Sequence, residues 1–238
     1  MGTSQELCGK IASESPNAIC SFSMGKDSIG AAIQMQRYFE RVEYVFMYMV
    51  PGLEFQESYL HYYEGVFGKK IKRMPNPSIY RQLNAFMYQP PEHIDIIEEM
   101  NLYEGSYDEI FAASKYDFNL PDETFVGVGV RASDSLARRT AVKQTGGVNL
   151  KRKQFFPIFD WNAERLVMEI RQSGIKLPID YKIWGRSFDG FDHRFLKPLK
   201  DNFPRDYEKI REFFPLIDLE LKRYEKFANG RPSPGLLN

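Results

Sequence analysis

The sequence predicts an α/β protein: a mostly parallel twisted sheet sandwiched by helices, with a helical C-terminal appendage. Two observations carry that expectation. Short apolar runs of strand length, "NAICSF", "EYVFMYMV" and "TFVGVGV", alternate with segments whose apolar residues recur at helical spacing. Strands alternating with helices imply βαβ units and a parallel sheet, with ligands at the carboxyl ends of the strands. A chain of 238 residues, 43% apolar and 15% aromatic, is large enough for one sizeable core, so one domain with a terminal appendage is expected rather than two small ones.

Taken in order, "NAICSF" is a strand that stops at small, flexible residues, and "DSIGAAIQMQRYFERV" follows as a helix. Glu43 to Val50 reads as a second strand of buried character, and "PGLEFQESYLHYYEGVFG" as a helix closed by Gly68. "KKIKRM" is a short basic strand. From "NPSIYRQLNAFMY" to "YDEIFAASKYDF" the pattern is helical and broken by Pro and Gly, with Pro90 and Pro91 suited to a helix start. Thr124 to Val130 is β-branched and bounded by turn residues, hence a third strong strand. "RASDSLARRTAVKQTGG" reads as a helix ending at Gly146 and Gly147, and "KRKQFFPIFD" as a fourth strand. "WNAERLVMEIRQSG" is a helix that Asn162 or Asp160 can cap and Gly174 can end. The tail predicts two amphipathic helices split at Pro215, then a frayed "RPSPGLLN".

Charge and cysteine content exclude several classes. Thirty-two basic residues balance thirty-two acidic ones, so no global field draws the chain to nucleic acid or a membrane. Cys8 and Cys20 form no CxxC pair, and His61, His93 and His193 are scattered, which does not fit a zinc or iron–sulfur site. Cys20 reads as a buried small hydrophobe. The N-terminus lacks a signal h-region, Glu6 stands where a myristoylation signal wants Ser or Thr, and no apolar run reaches membrane-spanning length. The expectation is a soluble cytoplasmic protein. A local exception to neutrality lies between Arg131 and Lys153, where Arg138, Arg139, Lys143, Lys151 and Arg152 add to the two ends against Asp134 alone. That stretch reads either as a solvated helix and loop or as a positive surface for phosphates, a nucleic acid or a partner protein.

The turn after the first strand, "SFSMGKDS" at 21–28, carries a Gly-Lys but not the spacing of a Walker loop, which needs a long wrap of backbone amides before its Gly-Lys-Ser/Thr. It is too short to encircle a phosphate. It can still offer amides at a helix N-terminus together with Ser21, Ser23, Ser28 and the Lys26 ammonium, a pocket suited to pyrophosphate or sulfate. An ordinary strand-to-helix turn with a capping side chain is the plain alternative.

Four segments, in order, resemble the ATP pyrophosphatase and phosphoadenosine phosphosulfate (PAPS) reductase superfamily, the PP-loop proteins of adenine nucleotide alpha hydrolase-like fold. "SFSMGKDS" is similar to the family's Ser-Gly-Gly-x-Asp-Ser loop, matching at Ser23, Gly25, Lys26, Asp27 and Ser28; Met24 replaces the first glycine, which implies a backbone there that tolerates a side chain, or an altered pocket. "MVPGLEFQESY" resembles Asp-Thr-Gly-x-Glu-Phe-Pro-Glu-Thr through Gly52, Glu54, Phe55 and Glu57, with Val50 and Pro51 where Asp-Thr is expected. "VGVGVRASDSLARR" is similar to the segment whose arginines hold anionic parts of the nucleotide, with Gly129, Arg131, Ser135 and Arg138 aligned. "FPIFDW" and the later "GIKLPIDYKIWGR" resemble the family's Pro-Ile-x-Asp-Trp helix start, Gly-hydrophobic-Pro turn and Gly-Arg segment. The likeness spans roughly residues 18 to 190 of the sequence.

The resemblance implies a nucleotide-binding domain over residues 1–200 and a helical extension over 201–238 packed on it. It implies ATP (or PAPS) as ligand, held by Ser21, Ser23, Met24, Gly25, Lys26, Asp27, Ser28, Gly52, Glu54, Gly129, Arg131, Ser135 and Arg138, with Lys26, Asp27 and Arg131 as the catalytic set. In the pyrophosphatase branch a substrate oxygen attacks the α-phosphate and pyrophosphate leaves into the loop; magnesium is held chiefly by phosphates, with Asp27 or Glu54 in support. The reductase branch needs a cysteine near the C-terminus, and none follows Cys20. What stays open is adenylyl transfer to an unknown acceptor, sulfonucleotide chemistry with an external thiol, or a non-catalytic, nucleotide-responsive subunit. Asp160 and Trp161 have cap and anchor roles available, and Tyr48, Phe55, Trp161 and Trp184 read as core before adenine contacts.

Overall fold

The computed structural model describes residues 2–188 and 190–229; the "RPSPGLLN" end lies outside them. The chain opens with α1 (Ser4–Glu14), then β1 (Asn17–Ser21), α2 (Lys26–Gln36), β2 (Arg41–Tyr48), α3 (Glu54–Phe67) and β3 (Ile71–Pro75). A helical excursion follows, α4 (Pro77–Asn84), a short 3-10 turn at Pro91–His93, α5 (Ile94–Met100) and α6 (Tyr107–Asp117). The second half runs β4 (Phe125–Val128), α7 (Leu136–Thr145), β5 (Val148–Asn149), β6 (Gln154–Phe155), α8 (Ala163–Ser173) and α9 (Asp180–Ile183), then α10 (His193–Asn202), α11 (Pro204–Phe213) and α12 (Asp218–Asn229).

The strands form one sheet in the order β3-β2-β1-β4-β6-β5, parallel throughout except for the β5–β6 pair. The α/β fold class is therefore the one the alternation implies. From β1 the chain steps outward through β2 to β3, then returns to lay β4 on the other side of β1. That reversal makes the β1/β4 boundary the switch point, the place where this fold class puts its ligand crevice.

Each central strand divides its side chains by the two-residue period of the pleat. Ala18, Cys20, Val42, Tyr44, Phe46 and Phe125 face a large core shared with α1, α2, α3 and α8, whereas Ile19, Val45 and Val126 face Phe111 and Leu120 on the opposite side. The sheet is thus buried on both faces, which explains why these strands read as continuous apolar runs. A third cluster gathers Val50, Leu53 and Phe55 from the β2–α3 region with Ile79, Leu196, Leu199, Tyr207, Ile210, Phe214 and Ile217. Leu219 and Tyr224 of the tail remain half-exposed.

Helix ends follow local chemistry. Gly68, Gly146 and Gly174 sit at positive φ as C-caps of α3, α7 and α8, and the Asn162 side chain accepts from Arg165 N at 2.8 Å to cap α8. Asp160 does not cap α8; its carboxylate accepts from Ser4 N at 3.2 Å, at the start of α1. The expected fourth strand over "KRKQFFPIFD" is corrected to two residues, because Leu150 to Lys153 turn and Pro157 opens another turn that runs to Asp160. Three helices were not expected: α1, the four-residue α9 and α10. α1 carries a full capping box, Thr3 with Glu6, and α10 is capped by Asp192 while holding Pro198 within it.

Candidate functional site

The "SFSMGKDS" turn leaves β1 at the switch point. Ser21 is the last residue of β1, registered between Val45 of β2 and Val128 of β4, and Gly25 is the N-cap of α2. Gly25 has no side chain, so the N-cap residue itself offers this helix start no capping bond. Within the turn Ser28 Oγ donates to Gly25 O at 2.8 Å, Ser23 Oγ lies 3.3 Å from Ser28 Oγ, and Gly25 N donates to Ser23 Oγ at 3.4 Å. The serines therefore shape the loop as well as line it. Ser28 is buried and Ser23 exposed.

Met24 has φ +62°, the left-handed conformation that glycine adopts without cost, and its side chain is 2% exposed in the main core. The backbone thus carries a side chain in a conformation that costs it some strain. The glycine-like conformation persists, and burial of the thioether opposes its strain, which is of order 1–2 kcal/mol.

The segment after β4 lies against this turn. Gly129 lies against the loop so closely that a Cβ there would stand 2.6 Å from the carbonyl carbon and oxygen of Asp27 and 2.8 Å from Ser28 N. Only glycine lets this backbone pass the start of α2. Two residues on, the buried Arg131 donates from Nε to Asp27 Oδ1 at 2.6 Å, pairs through Nη2 with Asp134 Oδ1 at 2.6 Å, and reaches Ser133 Oγ at 3.2 Å from Nη1. Asp134 Oδ2 in turn accepts from Arg138 at 2.7 Å. Asp27, Arg131, Asp134 and Arg138 thus form one alternating chain of charge, with Arg131 at 7% side-chain exposure and Arg138 at 49%. Ser135 accepts from Arg138 N at 3.2 Å and caps α7.

A third neighbour of the turn comes from α9, 155 positions away. The Tyr181 hydroxyl accepts the Lys26 amide hydrogen at 2.8 Å, so a neutral oxygen already occupies one donor at the α2 N-terminus. Burial pushes this phenol's pKa up, and Ser187 shares the hydroxyl. Asp180, buried beside it and raised in pKa by that burial, accepts from Phe188 N at 2.9 Å and holds the turn after α9.

Gly52 and Glu54 stand apart from this group, at the end of β2. Gly52 has φ +69°. The amides of Glu54 and Phe55 both donate to the buried Asp206 carboxylate, at 2.6 and 3.0 Å, and Lys209 Nζ donates to Gly52 O at 2.5 Å. Helix α11 therefore fills the anion-binding end of α3 with its own carboxylate. The Glu54 side chain stays 56% exposed.

The structure thus brings together Ser21, Ser23, Met24, Gly25, Lys26, Asp27, Ser28, Gly129 and Arg131, links Ser135 and Arg138 to them through Asp134, and ties the backbone of Gly52 and Glu54 to α11 instead. Sequence reasoning missed Tyr181, Ser187 and Asp206, which carry no local signal, and Asp134, which sits inside a segment already singled out. Both cysteines are buried, and burial pushes the Cys8 thiol up to about 12 and that of Cys20 higher still. In the basic stretch, Arg152 pairs with Asp108 and Lys153 with Glu123. Phe55 and Trp161 are core residues, and Trp184 packs on Phe55, Phe188 and Phe195. Among the described residues no group of three or more His, Cys, Asp or Glu is placed to hold a metal ion, and no helix is long and apolar enough to cross a membrane.

Fold and site define a doubly wound α/β chain whose first strand-to-helix turn opens at the sheet's switch point. No family model and no curated protein matches it. Among solved structures, an NH3-dependent NAD synthetase from Campylobacter jejuni subsp. jejuni NCTC 11168, in complex with a nitrate ion, aligns with TM-score 0.44 and 12% identity over 99% of this chain and 97% of that one. The U34-tRNA thiolase NcsA from Methanococcus maripaludis, with its [4Fe-4S] cluster, aligns with TM-score 0.44 and 12% identity over 90% of this chain and 79% of that one. Likeness at this level carries no functional argument.

Proposed function

We propose that the chain is a PP-loop adenine-nucleotide enzyme that binds the β,γ-pyrophosphate of ATP at residues 21–28 and transfers the adenylyl group to an acceptor, releasing pyrophosphate. The observation that supports this most is the placement of the Ser23–Ser28 turn, with Lys26 and a helix N-terminus that its own N-cap residue leaves uncapped, at the β1/β4 switch point. Lys26 and the loop amides stabilise the charge that builds on the leaving pyrophosphate, and Arg131 holds Asp27, and through it the start of α2, in register. The reaction asks for positioning and charge, not for a protein nucleophile. Magnesium would arrive on the nucleotide: Asp27 is committed to Arg131 and Glu54 stands apart from the loop, so phosphates and water supply most of the ligands.

Sulfonucleotide chemistry within this chain is disfavoured by the burial of both thiols and requires a thiol from another molecule. A second reading, a nucleotide-responsive subunit without turnover, is favoured by the Tyr181 hydroxyl on the Lys26 amide and by the Arg131 donors already engaged with Asp27 and Asp134. α-Labelled ATP supplied with pools of small-molecule, nucleic-acid and protein acceptors separates the readings. Adenylylated product equimolar with pyrophosphate, lost in Lys26→Ala, supports the enzyme. Nucleotide binding without either product supports the subunit, and release of orthophosphate contradicts both.

A further inference from the structure

Helix α8 is amphipathic, with Leu166, Glu169 and Ile170 buried. At 100° per residue the side directly opposite is centred between Glu164 and Arg171 and flanked by Val167 and Met168. Those two apolar residues are 44% and 47% exposed. With Ala163 and Gln172 they line a shallow concavity of about 540 Å³.

These six positions have a property that a solvated helix face does not require. Reversing the helix about a point midway between residues 167 and 168 exchanges 163 with 172, 164 with 171, and 167 with 168. An acid then lies opposite a base, one apolar residue opposite another, and the small Ala163 opposite Gln172. Within one chain Glu164 and Arg171 are seven residues apart, about 10.5 Å along the axis, too far to meet. Neither is in an ion pair or side-chain hydrogen bond with the described residues. The neighbouring charges on the same helix are engaged, Glu169 with Arg37 at 2.6 Å and with Arg165 at 3.8 Å.

We infer that this face of α8 is the contact between two copies of this chain, packed antiparallel about a twofold axis between Val167 and Met168, with Glu164 of each copy facing Arg171 of the other. The contact is isologous, so each copy contributes both halves of both ion pairs. Helices packed 8–10 Å apart would cover Val167 and Met168 from water, and the paired charges at the ends of the patch would fix the antiparallel direction. An 11-residue helix face is short. It buries less than the roughly 1,200 Å² of a standard stable interface, so association falls in the micromolar range or weaker and declines with added salt.

The test is sedimentation of the full chain from about 5 to about 500 µM at low salt, a range that brackets weak association. A dimer that grows with concentration is expected. Glu164→Arg alone and Arg171→Glu alone should each weaken association by about tenfold or more, because like charges then face one another. An equimolar mixture of the two variants should dimerise again, since Arg at 164 meets Glu at 171 and Glu at 164 meets Arg at 171. Recovery on mixing also excludes misfolding as the cause of the single losses. A monomer at every concentration, a dimer indifferent to the single reversals, or a mixture that stays monomeric overturns the assignment.

Discussion

At Met24 two forces oppose each other, and two substitutions separate them. The residue holds φ +62° with its side chain 2% exposed. Truncating a buried methionine to alanine costs about 2–5 kcal/mol from lost transfer energy and residual cavity. Met24→Ala and Met24→Gly share most of that loss, but only glycine is free of the left-handed strain of about 1–2 kcal/mol. Glycine's more flexible unfolded chain returns about 0.4–1 kcal/mol of the difference. Met24→Gly should therefore be the more stable of the two by roughly 0.5–1 kcal/mol, although both fall below the native chain. At ordinary backbone positions the order is the reverse. Urea denaturation read by circular dichroism gives both values. On heating, the gap should appear as about 1–4 °C for a chain of this size. If Met24→Ala equals or exceeds Met24→Gly, the loop does not hold the glycine-like conformation, and the account of how Met24 replaces a glycine fails.

Arg131→Ala leaves the Asp27 and Asp134 carboxylates facing each other without their common partner; stability should fall by roughly 2–3 kcal/mol, between the values for exposed and fully buried pairs, with pyrophosphate affinity falling alongside in the same titration. Tyr181→Phe frees the Lys26 amide, and pyrophosphate should bind about fivefold tighter by calorimetry; weaker binding would show instead that the hydroxyl donates to the ligand. Glu64 is desolvated, which alone would raise its pKa, but the Ile71 amide, Arg73 and Lys70 hold it down to about 2. A depressed carboxylate contributes stability that is present above its unfolded value near 4.5 and is lost as pH falls toward 2, so Glu64→Gln should destabilise the chain at pH 7 by about 1–3 kcal/mol and flatten the acid limb of its denaturation profile.

The central sheet was legible because its strands are buried on both faces, so β1, β2 and β4 stand out as apolar runs without needing alternation. Helix ends with glycine or a capping Asn were legible for the same local reason. α1 carries a readable start signal, since Thr3 and Glu6 form a capping box, but its sparse apolar positions give little helical periodicity. α10 was hidden by Pro198, and the fourth strand was overextended because "QFFPIF" is apolar for turn and core packing as well as for pairing. At the site, adjacency in sequence made residues 21–28 and 129–138 readable. Tyr181 and Asp206 were not, because each reaches its helix N-terminus from more than 150 residues away, and a tyrosine in a short helix or an aspartate on an amphipathic one announces nothing.

The measurement that bears most directly on the loop's role is calorimetric titration of the full chain with ATP and magnesium, and separately with PAPS, on native protein and on Lys26→Ala. The account predicts binding of ATP with magnesium in preference to PAPS, weakened by about tenfold or more when the Lys26 ammonium is removed, in line with the loss of a charge-assisted contact to phosphate. Binding of neither nucleotide, or binding indifferent to Lys26→Ala, would contradict it.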